Sequence, residues 1–364
     1  RINQTSTKDQ FYHNSKDDKF ESVQATYNES LNYDFWSISG YTSSPDDIQR
    51  YFLERVGYKM NGNNMCIVNT SQIAVDSFLG VKYIVSNDDI NGLKKIDYDS
   101  TLNKIVYKNK YSLPMVFTVS EKTNGNINKD VNNFEYQNLI YKELSQTDTE
   151  VLNKLEYAGD LTGDKNNAFS QEYKVNVLEG EYVYYGNIPW NKYMNAKLNV
   201  NNFYDMDYAR WLSPGVFYIP INEKKDTFEI NISSDLGYYI NDSLVQFYGL
   251  DLHALDEVTQ SIRNNSHVKD YKISDGLVTA TIESKEDEKV FLSVPYDKGW
   301  NCTVNGKKVK PELFADCFYL IPVKKGTNQI MMRYTVPGFK KGIILTISGI
   351  ILLILMSYLE RGRT

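Results

Sequence analysis

The spacing of hydrophobic residues changes along the chain, from a helical period near the N-terminus to alternation further on. Near the start, three apolar residues recur at every fourth position: Ile48, Phe52 and Val56. The run Ser44–Asp47 before them supplies an N-cap serine, a proline and two acids, so it predicts a helix that begins at Ser44 and ends at Gly57. Residues 71–79 predict a second short helix, stopped by Gly80. Two strands are predicted next, at residues 81–86 and 104–107.

From Leu113 onward, apolar and polar residues mostly alternate, which is typical of strands separated by Gly, Pro, Asn and Asp. Tyr173, Val175 and Val177 are the plainest case. Further strands are predicted at residues 181–185, 197–200, 216–221 and 227–232, and strands resume after a second helix and continue to Tyr334. The two interrupting helices are predicted at residues 133–144 and 251–263.

A pattern of three short segments occurs twice in this strand-rich region. The first copy comprises Val200-Asn201-Asn202, Tyr218–Ile221 and Thr227–Ile230, and the second comprises Val304-Asn305-Gly306, Leu320–Val323 and Thr327–Ile330. A β-sandwich module used twice explains the repeat, with the Asn step as a hairpin turn and the proline at a strand end, although convergent strand chemistry is an alternative.

We therefore predict a mainly β protein with an α/β N-terminal part, two β-sandwich modules of jelly-roll type and a C-terminal transmembrane helix. The predicted segments are an α/β region at 1–110, a first sandwich with helical insertions at 111–265, a second sandwich at 266–337, and a membrane helix with a short tail at 338–364.

The membrane helix is predicted from Gly342–Leu359, a run of uncharged residues dominated by Ile and Leu. As a helix it would span roughly 27 Å, close to the bilayer core of about 30 Å. A buried core helix is the alternative, but such helices rarely lack polar positions over this length. Lys340 and Lys341 before the run balance Arg361 and Arg363 after it, so these charges do not orient it.

Other features favour a large domain outside the cell membrane and a cytoplasmic C-terminal tail. The tail is short, and the chain has a net charge of −6 with no basic patch, which argues against a nucleic-acid partner. The polar N-terminus shows no export signal, so we expect the chain to be part of a longer protein. Three cysteines form no disulfide framework; Cys302 and Cys317 could pair on neighbouring strands, but two buried thiols are the favoured interpretation.

The sequence contains no zincin, nucleophile-elbow, Walker or dinucleotide-binding motif, so we predict no catalytic residue, metal or cofactor. A pair of catalytic carboxylates is not singled out among the 46 acids. Clustered aromatics beside Asp and Asn are the stronger signal, because rings stack on sugar C–H faces while polar groups bind the hydroxyls. The candidate carbohydrate-binding residues are Tyr296, Asp297, Trp300, Trp190 and Tyr185; ordinary core packing is the alternative for each.

Several segments in chain order carry a further signal. They are Asn28–Ser44, Phe78–Ser86 (FLGVKYIVS), Val106–Phe117, Ser293–Trp300 (SVPYDKGW) with Val304–Lys307, and Pro337–Gly342 before the last helix. Together these segments resemble the bacterial YfhO-like membrane protein family. The chain departs from the family at Leu113–Val116, which reads LPMV where the family often has LPLG.

The resemblance implies a large polytopic membrane protein of the GT-C glycosyltransferase type. Such proteins take a sugar from an undecaprenyl-phosphate carrier and decorate lipoteichoic acid or a related cell-wall polymer. The family's catalytic acid is expected in an early external loop that is absent here, so this region would act as an accessory or acceptor-positioning domain at the bilayer. The alternatives are a single-pass surface carbohydrate-binding protein or adhesin, and a hydrolase with two carboxylates.

Overall fold

The computed structural model describes most of the chain. The described residues are 2–5, 36–38, 40–41, 46–58, 60–61, 65–66, 71–86, 89–100, 104–163, 169–188, 196–202, 204–208, 215–221, 226–234 and 245–361. The fold is mainly β, with several antiparallel sheets and one apolar C-terminal helix, as the sequence predicts.

The N-terminal part is mixed α/β. Its elements are β1 (Ile2–Thr5), β2 (Gly40–Tyr41), α1 (Asp47–Arg55), β3 (Met60–Asn61), β4 (Met65–Cys66), α2 (Ile73–Phe78), β5 (Tyr83–Ser86), β6 (Lys94–Asp99) and β7 (Lys104–Lys108). A four-stranded sheet has the order β1-β5-β7-β6, with β1 parallel to β5, and β2-β4-β3 form a small second sheet.

Helix α1 begins later than the sequence pattern predicts. Asp46 is the N-cap, and its carboxylate accepts a hydrogen bond from the Ile48 backbone N–H at 2.8 Å. The prediction of Ser44 as the cap is therefore wrong, because the aspartate two residues further on serves the same purpose. The predicted stop at Gly57 is confirmed: this glycine has φ +100°, and a Cβ there would lie 2.5 Å from Val216 Cγ2.

The first β-sandwich consists of a five-stranded and a four-stranded sheet. After β8 (Val116–Ser120) and α3 (Asn133–Ser145), its strands are β9 (Leu152–Lys154), β10 (Tyr157–Gly163), β11 (Phe169–Asn176), β12 (Tyr182–Asn187), β13 (Ala196–Val200), β14 (Tyr204–Tyr208), β15 (Phe217–Ile219), β16 (Thr227–Ser234) and β17 (Gln246–Asp251). The sheet orders are β10-β11-β16-β13-β14 and β15-β12-β17-β9. Residues such as Val175, Leu198 and Phe247 meet in the core between them.

The second sandwich has the same construction of five plus four strands. After α4 (Leu252–Asn264) come β18 (Val268–Ser274), β19 (Leu277–Ser284), β20 (Glu288–Leu292), β21 (Trp300–Val304), β22 (Lys307–Val309), β23 (Glu312–Phe314), β24 (Phe318–Val323) and β25 (Gly326–Tyr334). The sheet orders are β18-β19-β25-β21-β22 and β23-β24-β20-β8.

The repeat seen in the sequence corresponds to equivalent hairpins in the two sandwiches. Asn201 exchanges two hydrogen bonds with Glu229: its backbone N–H donates to the Glu229 carbonyl at 2.9 Å, and its side-chain oxygen accepts from the Glu229 N–H at 2.7 Å. Asn305 does the same with Gln329, at 2.8 Å for both bonds. Both asparagines have positive φ, so the predicted hairpin turn is present in each copy.

The second sandwich contains one strand, β8, that is remote in sequence from its other strands. Strand β8 precedes the whole first sandwich in the chain, yet it pairs with β20 in the second. The equivalent strand of the first sandwich is β17. It pairs with β12, as β8 pairs with β20, and each of the two strands is followed in the chain by a helix: α3 after β8 and α4 after β17. Strand β8 therefore lies within the predicted segment 111–265 but pairs in a sheet of the second sandwich, where it forms the edge next to β20.

The proline of each repeat lies near the end of a strand. Pro220 follows the last residue of β15, as predicted, whereas Pro322 is the penultimate residue of β24 and lies opposite Lys289.

The outer faces of both four-stranded sheets are covered by the N-terminal part and by α3 and α4. An aromatic cluster marks this contact, with Phe52, Phe78, Phe291, Phe314 and Phe318 packed at ring distances of 4.8 to 6.2 Å. Strands β12 and β24 are consequently buried on both faces and read as continuous apolar runs instead of alternating.

The last helix, α5 (Phe339–Arg361), is exposed on all sides. Its candidate membrane span is Phe339–Leu359, and none of that span is buried; Leu345, for example, is 72% exposed. The alternative of a buried core helix is thus rejected, and the span of about 31 Å matches a bilayer core. Cys302 and Cys317 are buried free thiols, as favoured from the sequence.

Candidate functional site

The loop between β20 and β21 places Trp300 at the end of the second sandwich. Asp297 organises this loop, because its carboxylate accepts from the Gly299 N–H at 2.6 Å. The Tyr319 hydroxyl clamps the same residue by accepting from the Asp297 N–H at 2.9 Å and donating to its carbonyl at 3.1 Å. Burial raises the pKa of Tyr319, so the hydroxyl stays protonated and able to donate.

Gly299 lets this loop approach the end of β25 closely. A Cβ at Gly299 would lie 2.5 Å from a ring carbon of Tyr334 and 2.7 Å from the carbonyl oxygen of Thr335. The Thr335 N–H donates to the Gly299 carbonyl at 2.9 Å, and the Trp300 indole packs edge-on against Tyr334 with 5.4 Å between ring centroids. The indole is therefore held by packing, with its remaining surface directed to a groove.

This aromatic groove has a volume of about 390 Å³ and mixes aromatic, polar and apolar walls. Trp300 and Trp36 are the tryptophans among its described lining residues, and Trp36 is 41% exposed. The polar members include Gln49 from α1 and Asp275 from the turn between β18 and β19. The floor is apolar and is formed by Ile38, Leu53, Leu79, Val294 and Phe318.

Two polar side chains of the groove, Gln49 and Asp275, are available to a ligand. Asp275 is exposed, and within the part of the chain that the structure describes neither its carboxylate nor the Gln49 amide makes a hydrogen bond. Asp275 can accept hydrogen bonds, and Gln49 can both donate and accept. Two indoles and such groups lining one groove suit a sugar ring, which has apolar C–H faces and hydroxyl edges.

The predicted carbohydrate-binding residues are only partly brought together. Trp300 lines the groove, whereas Tyr296 and Asp297 lie beside it and support the loop; Tyr296 packs on Tyr319 at 5.8 Å. Tyr185 is 2% exposed, and its hydroxyl accepts from the Ile73 N–H in the core, so it cannot present a stacking face. Trp190 lies outside the described residues.

Three groove residues were missed by reasoning from the sequence: Trp36, Gln49 and Asp275. Trp36 belongs to a segment that resembled the family, and Asp275-Gly276 is a hairpin-turn signal, but neither pattern shows that the residues meet Trp300. Among the described lining residues, Asp275 is the one carboxylate. A glycosidase of the usual type uses two carboxylates, and the described lining of the groove supplies one.

The groove lies near the membrane helix. Tyr334, which packs on Trp300, ends β25, and α5 begins at Phe339. Five residues span at most about 17 Å, so the groove is at the end of the sandwich from which the chain enters the candidate span.

Comparison with known proteins identifies a family whose model matches nearly the whole chain. Residues 2–346 match the family model described as "Bacterial membrane protein YfhO". A similar protein is "Uncharacterized protein YfhO" of Bacillus subtilis (strain 168), which is 34% identical over 86 residues. That alignment covers 24% of this chain and 10% of the relative's length.

Proposed function

The chain belongs to the YfhO family of bacterial membrane proteins, and on that basis we propose that it is an extracytoplasmic region, with one membrane span, of a membrane glycosyltransferase. The reaction is the transfer of a sugar from an undecaprenyl-phosphate carrier to lipoteichoic acid or another cell-wall polymer. This region positions the acceptor, and no catalytic residue is assigned to it.

The observation that carries the proposal is the aromatic groove with Trp36 and Trp300 on its walls. Two indoles beside the unpaired polar groups of Gln49 and Asp275 provide the stacking and hydrogen bonding that glycans require. The position of the groove near Phe339 supports a ligand attached to, or made at, the membrane surface.

We propose that the large domain lies outside the cell membrane and that the residues after α5 are cytoplasmic. The acidic net charge of −6 and the short arginine-containing tail support this orientation. A maleimide that cannot cross membranes should label Ser274→Cys in intact cells; labelling only after lysis would place the domain inside.

Substitution of Trp300 by alanine tests the role of the groove. We expect Trp300→Ala to weaken teichoic-acid binding by the chain in detergent micelles by about tenfold or more, because one indole stacking partner is lost. The matched control is Tyr98→Ala, which removes a half-exposed ring on β6 and should leave binding unchanged. Equal binding by Trp300→Ala and the unmodified chain would refute an acceptor role for the groove.

A second candidate function is a surface carbohydrate-binding protein or adhesin with a single span and no catalysis. It is favoured by the one candidate membrane helix found among the described residues. The two functions differ in the gene: several membrane spans encoded upstream of Arg1 support the glycosyltransferase, whereas a signal peptide directly upstream supports the adhesin.

A further inference from the structure

A second cavity lies on the other side of helix α1 from the aromatic groove. It has a volume of about 560 Å³, within the range of small-molecule sites, and it shares only Phe52 with the groove among the described lining residues. Its lining residues include Tyr51 and Arg55 from α1, Tyr136 from α3, Lys129, and Asp316 from the turn between β23 and β24. We call it the Tyr136 cavity.

Two polar groups at this cavity lack protein partners. Tyr136 is only 1% exposed, yet its hydroxyl has no hydrogen-bond partner among the described residues. Burial raises the pKa of Tyr136 to about 12, so this hydroxyl remains protonated and can both donate and accept. The Nε atom of Arg55 is also buried without a partner, although the guanidinium donates elsewhere to the carbonyls of Lys129 and Val131. Nε is shielded from the cavity, whereas the Tyr136 hydroxyl is not fully enclosed and keeps its hydrogen-bonding capacity for a ligand in the cavity.

The charges around the cavity cancel. Arg55 and Lys129 are offset by Glu54 and Asp316, and Lys129 forms an ion pair with Asp316. An anionic ligand would meet the two carboxylates and a cationic one the two basic groups, so the lining favours an uncharged molecule.

Aromatic surface is available beside these polar groups. Tyr51 is 60% exposed, and the Arg50 guanidinium lies over its ring at 4.9 Å from the centroid, which holds the ring in place. The Tyr136 ring is likewise fixed under the Arg55 guanidinium, at 4.7 Å. A ring that stacks on Tyr51 and offers a hydroxyl to Tyr136 fits the site, because a sugar hydroxyl and the Tyr136 hydroxyl can each donate and accept.

We propose that the Tyr136 cavity binds one uncharged sugar ring, as a site separate from the aromatic groove. The turn that bears Asp316 forms one wall of the cavity and is held in place by a backbone hydrogen bond. Ala315 and Asp316 both have positive φ, at 52° and 55°, and the Ala315 N–H donates to the Gly125 carbonyl at 2.8 Å. The site does not require the glycosyltransferase activity proposed above.

The test is a titration of the full chain in detergent micelles with free sugars, in which saturation-transfer NMR detects binding. The neutral probes are glucose, galactose and N-acetylglucosamine, and the charged controls are glucuronic acid and glucosamine. We expect at least one neutral sugar to bind, and Tyr136→Phe to weaken it by about fivefold because one hydrogen bond is lost while the ring remains. The urea midpoint should not change, since this hydroxyl bonds to no described residue. Tyr51→Ala, at an exposed position, should also weaken binding.

The outcomes separate this site from the groove. Loss of sugar signal in Trp300→Ala, with normal binding in Tyr136→Phe and Tyr51→Ala, would overturn the Tyr136 cavity and leave the groove proposal standing. Binding that survives Trp300→Ala and weakens in Tyr136→Phe supports the cavity. No binding of any neutral sugar, or tighter binding of glucuronic acid than of glucose, would refute the proposal.

Discussion

The asparagine turns of the two repeats permit a quantitative test of why these residues occur there. Asn305 lies on the β21–β22 turn with φ 51°, and its side-chain oxygen accepts from the Gln329 N–H at 2.8 Å. Its substitution therefore removes two separable contributions: tolerance of a left-handed backbone and one side-chain hydrogen bond.

The magnitudes follow from these two contributions. Alanine in the left-handed region costs roughly 1 kcal/mol more than asparagine. A lost hydrogen bond costs about 1 kcal/mol. Asn305→Ala should therefore lower the free energy of unfolding by about 2 kcal/mol. Asn305→Gly keeps the backbone freedom and should lose about 1 kcal/mol, and Asn305→Asp, which keeps both, less than about 0.5 kcal/mol.

Urea denaturation of the chain in detergent micelles, followed by circular dichroism, measures these differences. The corresponding series at Asn201, which makes the same pair of bonds to Glu229, should show the same order. If the glycine variant is as unstable as the alanine variant, backbone conformation does not select asparagine at this turn. If neither loses stability, the explanation of the repeat by its turn chemistry fails.

Three further predictions concern buried groups. Tyr58→Phe should lower stability by about 1–3 kcal/mol in urea, because the Tyr58 hydroxyl donates to the fully buried Asp76 carboxylate at 2.6 Å. Gly125→Ala should cost about 3 kcal/mol or more, since its Cβ would lie 1.7 Å from the Leu313 carbonyl oxygen. Burial raises the pKa of Cys302 from 9.0 to about 11, so the folded thiol keeps its proton where the unfolded one loses it. The resulting stability is complete below pH 9 and should fall as the pH rises towards 11, and Cys302→Val should remove that loss.

Matched variants check these three results. Tyr271→Phe, at an exposed tyrosine on β18, should leave stability unchanged, and Gly306→Ala, where a Cβ meets nothing within 4 Å, should cost only the strain of its positive φ. An equal cost at Gly125 and Gly306 would contradict the steric argument. If Cys302→Val loses as much stability between pH 9 and 11 as the unmodified chain, the loss is caused by other titrating groups and not by Cys302.

Local signals were sufficient for most of the secondary structure. Asn132, followed by Glu135, forms the capping box of α3, and Gly57 and Gly80 end α1 and α2 with positive φ. The paired Asn turns at 201 and 305 were visible as sequence because a hairpin of this type needs residues that tolerate positive φ. Each of these features depends on a few neighbouring residues.

The candidate sites could not be predicted as fully. Trp300 was found because its turn is marked by Asp297 and Gly299, but Trp36 and Gln49 reach the same groove from more than two hundred residues away. Tyr185 was predicted as a site residue but is buried. The local sequence around an aromatic residue on a strand does not show whether another layer of the fold covers it.

The amino-acid order alone predicts an α/β start, a repeated sandwich and an apolar helix suited to a membrane, since helix caps, alternation and an unbroken apolar run act over short stretches. The pairing of β8 with β20, and of β17 with β12, depends on three-dimensional packing. Backbone N–H and C=O groups are the same in every strand, so hydrogen bonding does not select which strand pairs at the open edge of a sheet. That choice depends on which strand the packing of α3 and α4 places beside the edge. The packing of α1 against the second sandwich likewise forms the aromatic groove and the Tyr136 cavity on the two sides of α1.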